Sequence, residues 1–187
     1  MANDGISAIA IIVALACVLA GGAVCDASED AAAALKEWRA AYGAWKAAGF
    51  DVHRDDLFRA ASQALSAMED NAGDDAVLNE MSSVLRQAGP PCELKMEVIQ
   101  VITANGSQKA AKALAAGFSA NAVSRAETLR PDVARGLTEE ERRAMDEAGQ
   151  KRTAAADCLT AIGEIEDPGS VAILAGIMII WAGVTWL

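Results

Sequence analysis

A chain of 187 residues with net charge −10, 53% hydrophobic and 4% aromatic residues has the length of one modest domain and too much apolar character for disorder. Its acidic balance disfavours nucleic acid, or an anionic lipid surface, as a partner engaged through a basic patch. A mean hydropathy of +0.20 sits oddly with 22% charged residues until the charges are located. None falls in residues 5–25 or 168–187, and Asp4 is the only acid before Asp26. The middle therefore holds 25 acids and all 16 basic residues, a net of −9. The 43 alanines, set against 4 prolines, predict an all-α chain, because alanine is the best helix former and a poor strand former.

The expected architecture is an acidic, alanine-rich antiparallel bundle of about six helices between two terminal apolar membrane segments. The N-terminal segment, residues 1–25, has about 20 uncharged residues, enough to cross a ~30 Å hydrocarbon core. It also reads as a signal peptide with Gly21 and Ala23 as the small-x-small site, although Asp4 stands where positive charge is usual. Cys25 raises a lipoprotein reading that Ala23-Val24 fits poorly.

From Ser28, an N-cap with Glu29 and Asp30 behind it, Ala31, Leu35, Trp38, Tyr42 and Trp45 form a heptad-like seam on a first helix running to Ala48, ended by Gly49. A second helix is predicted over Asp55–Glu69 with Leu57, Phe58, Ala61, Leu65 and Met68 inward. A third opens at Asp74-Asp75, carries Val77, Leu78, Met81, Val84 and Leu85, and stops at Gly89-Pro90-Pro91. The fourth runs from Pro91 to the Asn105-Gly106 break with Leu94, Val98, Val101 and Ile102 inward; its β-branched run Val98–Thr103 has no partner strand and is read as helix.

A fifth helix is expected over Gln108–Leu129, with Ala111, Leu114, Phe118 and Ala122 on one stripe. The sixth starts at the capping box Thr138–Glu141 and runs to about Glu166, with Met145, Ala148, Ala155, Leu159 and Ile162 inward, and Glu139–Arg143 and Glu147–Lys151 as exposed pairs. Residues 26–167 are thus the bundle. Pro168-Gly169 separates it from residues 168–187, a second candidate span with Trp181 and Trp186 near its end. That tail also resembles a GPI signal, with Thr160–Gly163 as the attachment site and Glu164–Ser170 as a short spacer.

The inventory for chemistry is thin. Trp38, Tyr42 and Trp45 read either as a strip that stacks a lipid or pigment, or as core. His53, the only histidine, stands with Asp51 and Asp55 either as nitrogen and oxygen metal ligands or as a solvated helix start. A Cys92–His53 nucleophile pair has nothing further to recommend it. HExxH, CxxC, GxSxG and a phosphate loop are all absent from the sequence. With Cys17 in the apolar segment, Cys92 and Cys158 are either a disulfide joining the fourth and sixth helices or two small buried thiols. Asn105-Gly106-Ser107 is a glycosylation acceptor.

These features point to a non-catalytic, membrane-anchored helical protein with no cofactor, an accessory or structural subunit of a larger membrane complex, respiratory or photosynthetic. Its partners would be other membrane subunits and the bilayer, without nucleic acid. Both termini lie on one side, and the spans pack through Gly21, Cys25, Gly176 and Gly183. The spans hold no ionisable group for ion or proton transport. The alternative is a secreted GPI-anchored surface glycoprotein, since the composition resembles that of the alanine-rich helical coat proteins of parasitic protists. A third reading is a metal- or ligand-binding helical module.

Overall fold

The computed structural model describes residues 28–51, 53–122 and 138–185, the side chains of the last helix only to Ile179. Residues 1–25, with Cys17, Gly21 and Cys25, lie outside the described residues, as do the side chain of Trp181, the surroundings of Gly183 and all of Trp186. The described residues form seven helices: α1 Glu29–Ala47, α2 Asp55–Asp70, α3 Asp75–Leu85, α4 Cys92–Ala104, α5 Gln108–Asn121, α6 Glu139–Glu164 and α7 Pro168–Thr185. The described residues contain no strand, and the β-branched run Val98–Thr103 is helical.

The predicted starts are made by the groups the sequence offers. Ser28 Oγ accepts from the Ala31 N–H at 3.2 Å, Asp74 Oδ1 from the Ala76 N–H at 2.8 Å, and Ser107 Oγ from the Ala110 N–H at 3.4 Å. Thr138 and Glu141 cap α6 reciprocally, as the capping box requires. Asp74 does more than cap, because its second oxygen accepts the Ser28 N–H at 2.9 Å and ties the start of α1 to the start of α3. These backbone donors hold its carboxyl below the usual range.

The core follows the predicted stripes closely in α1, α3 and α4. It differs in three places. The fifth helix ends at Asn121 rather than Leu129, because Ala122 turns to an extended conformation with ψ 123°; the remainder of that prediction lies outside the described residues. In α6 only the second half is buried, through Ala154, Ala155, Cys158, Ala161 and Ile162. Met145, expected inward, is 39% exposed. There Arg142, not Arg143, pairs with Glu139 at 3.6 Å, while Glu147–Lys151 forms as expected at 2.8 Å.

The centre is α4, which packs against α2, α3, α5 and α6. One end is aromatic: Trp38 and Tyr42 stack at 5.0 Å, and Trp45 meets Phe50 and Phe58 edge-on at 5.5 and 5.2 Å. Phe50 enters this cluster at a backbone cost, with φ 57° immediately after Gly49 at φ 71°. Two successive left-handed residues reverse the chain so that the Phe50 ring folds back on α1.

The last corner is tight. Ser170, 2% exposed, donates to the carbonyls of Ile165 or Asp167, and Asp167 Oδ1 accepts the Gly169 N–H at 2.7 Å. Beyond it α7 packs on α5 and α6 through Ile173, Leu174 and Ile177. Among the described residues no helix is long and apolar enough to cross a membrane.

Candidate functional site

An open groove of about 450 Å³ lies between α4 and α6, with Glu69 of α2 also in its lining. Its size falls in the ~300–1,000 Å³ range of binding sites. Met96 and Ile99 of α4 and Ala161 of α6 form an apolar floor, while Glu69, Asp157 and Glu164 stand around it. No lysine or arginine lines it. Met96 is 42% exposed there. Asp157 lines the groove, and its Oδ2 is buried without a hydrogen-bond partner. Such a surface suits a cation carried on an apolar body.

Behind this wall the next residues along each helix turn inward and build a second polar feature. Lys95 is 4% exposed, and its Nζ donates to Asn121 Oδ1 at 2.5 Å. Asn121 is fixed by two donations of its own, to the carbonyls of Leu85 at 3.0 Å and Gly117 at 2.8 Å. Burial lowers the Lys95 pKa; the nearby Cys92 and Cys158 oppose this and Lys151 adds to it. Burial also pushes the Cys158 thiol up to about 12 and raises that of Cys92. Cys92 and Cys158 are free thiols, so the structure contains no bridge between α4 and α6. Their raised pKa values make them poor nucleophiles at neutral pH. A crevice of about 10 Å³, room for one water, reaches Cys92 and Lys95 from the surface beside Glu147 and Lys151.

The residues singled out from sequence line neither the groove nor, Cys92 apart, the crevice. Trp38, Tyr42 and Trp45 are 0, 7 and 1% exposed, line neither concavity, and are core. The Tyr42 hydroxyl donates to Gln87 Oε1 at 3.0 Å, and burial, helped by Glu80, raises its pKa to about 12. The Trp45 indole donates to the Asp51 carbonyl at 3.2 Å. His53 and Asp55 are exposed, and Asp51 Oδ1 accepts the His53 backbone N–H at 2.9 Å, which is a turn-forming role. Among the described residues no three His, Cys, Asp or Glu side chains are placed to hold a metal ion. Asn105 uses its amide nitrogen to hold the Ala72 carbonyl at 2.6 Å, joining the end of α4 to the α2–α3 turn.

Sequence reasoning missed Lys95 and Asn121, yet a signal existed. Ile99 and Ile102 lie four and seven residues beyond Lys95, and Leu114 lies seven before Asn121, so both polar residues stand on inward stripes. The groove had no such signal, because Asp157 and Glu164 gain meaning only once Met96 faces them. No protein-family model, curated protein or solved structure matches this chain.

Proposed function

We propose that the protein is a non-catalytic, membrane-anchored helical protein that serves as an accessory or structural subunit, its acidic bundle held at the bilayer by its apolar ends. The observation that carries this reading is the surface of α7. Ile173, Leu174 and Ile177 bind it to the bundle, yet Val171, Met178 and Ile179 are 69, 63 and 73% exposed on a helix without a charged residue. A bare apolar face of this kind is unfavourable in water and calls for lipid or a partner. Residues 5–25 supply a second uncharged segment of comparable length.

The packing also weighs against the glycolipid-anchored alternative. Attachment at Thr160–Gly163 would cut within α6 and remove Ile165, Ser170, Ile173 and Leu174 from the bundle. Carbonate-resistant sedimentation of membranes from expressing cells, followed by intact mass, tests both. The expected result is a full-length chain retained in the pellet, with retention lost in the Val171→Gln/Met178→Gln/Ile179→Gln variant. Recovery of wild type in the supernatant sinks the anchor; a shortened chain carrying a glycolipid establishes the alternative.

A further inference from the structure

We propose that the groove between α4 and α6 is a docking site for a basic amphipathic helix of a partner protein. The inference rests on the docking half of the function proposed above, and not on the anchor. Two observations carry it. The floor of Met96, Ile99 and Ala161 offers apolar contact, and the walls carry Glu69, Asp157 and Glu164 with no basic residue among them. The carboxylates are also spread out rather than convergent, since no three are placed to hold a metal ion among the described residues.

Their spacing selects the occupant. Asp157 and Glu164 stand seven residues apart on α6 with Ala161 between them, about 10.5 Å along the axis at 1.5 Å per residue. A helix laid alongside α6 with lysines or arginines at i and i+7 meets both, and its apolar residues at i+3 and i+4 fall over Ala161 and Met96. Glu69 on the opposite wall adds a third contact to the basic edge. An anionic lipid surface or a nucleic acid would be repelled by the same three charges.

Methionine methyl NMR tests this on the full chain in zwitterionic nanodiscs, with empty nanodiscs as the blank. Met96 lies on the groove floor, whereas Met145 and Met178 are exposed far along the chain on α6 and α7. The probe is a peptide of leucine, alanine and lysine, about two heptads long, with lysine every seventh residue. The same peptide with glutamate for lysine is the control. The expected result is a saturable shift of the Met96 signal with Met145 and Met178 unmoved. Glu69→Gln/Asp157→Asn/Glu164→Gln should weaken it about tenfold. Glu37→Gln/Glu140→Gln/Asp146→Asn removes as many exposed charges elsewhere and should leave it unchanged. A static Met96 signal, equal losses in the two triple variants, or a Met96 shift caused by protein concentration alone each overturns the proposal. Because Met178 reports the lipid-facing helix separately, loss of the anchor and loss of the docking site give different spectra.

Discussion

The two ends of the bundle solve the same packing problem with opposite materials. Around α1 and α2, a few large rings fill the space: Trp38, Tyr42, Trp45, Phe50 and Phe58 touch one another at centroid distances of 5.0 to 5.7 Å. Where α5 packs on α6, small residues predominate among those that the two helices bury: Ala110, Ala111 and Gly117 on α5 and Ala154, Ala155, Cys158 and Ala161 on α6, with Leu114, Phe118 and Ile162 as the large ones. A ring buries about 150–250 Å² and gains its stabilisation from area. An alanine seam buries little per residue and depends on close approach, so its tolerance to added atoms is small. The aromatic end should therefore fail when atoms are removed, and the alanine seam when they are added.

The largest expected effect tests the first half of that contrast. Trp38→Ala deletes a fully buried ring from the stack and should cost about 3–5 kcal/mol in urea unfolding. Because Trp38 Nε1 has no hydrogen-bond partner, Trp38→Phe should cost far less. Comparable losses for both would mean that the indole edge matters more than the area.

The second half is tested by adding one methyl group. A Cβ at Gly117 would fall on the Leu85 side chain and stand 3.3 Å from Cys158 Sγ, so Gly117→Ala should destabilise by about 1–3 kcal/mol despite alanine's better helix propensity. If Gly117→Ala is neutral, the seam is looser than its geometry states.

The polar centre behind the seam supplies a pH test. The folded Cys158 thiol keeps its proton to about 12, while the unfolded thiol loses it near 9.0. Stability therefore falls as pH rises above 9.0, by at most about 1.4 kcal/mol per unit. Lys95 acts in the opposite sense. Its folded pKa lies below 10.5, so between the two values the unfolded chain holds the extra proton and stability rises with pH. Cys158→Ala should flatten the alkaline loss and Lys95→Met should steepen it, read as urea midpoints from pH 8 upward. Unchanged slopes would place both groups in water.

The smallest effect is a gain at the aromatic end. Gly43 lies on the solvent side of α1 with nothing within 4 Å of a built Cβ, so Gly43→Ala should stabilise by up to about 1 kcal/mol in the same unfolding measurement. The same substitution thus changes sign between the two ends, and only what the added carbon meets separates them.

Helix positions, caps and most inward stripes were legible from the order of residues alone, because they depend on contacts within one or two turns. Ser28, Asp74 and Thr138 cap where they stand, and the α3 stripe from Val77 to Leu85 is buried as its spacing requires. The same local rule misplaced Met145, since periodicity states which side of a helix is apolar and not whether a neighbour covers it. It also made Trp38, Tyr42 and Trp45 equally fit for a ligand or a core, a choice settled by Phe50 and Phe58 arriving from elsewhere in the chain.

Composition by itself determined an acidic, all-helical body and two uncharged ends, because alanine content and charge placement are properties of the chain in any conformation. Only the tertiary structure decided that Lys95 is buried against Asn121 while its neighbour Met96 lines a groove with three carboxylates. Adjacent residues on a helix point about 100° apart, and which of them meets water is set by where the other helices lie.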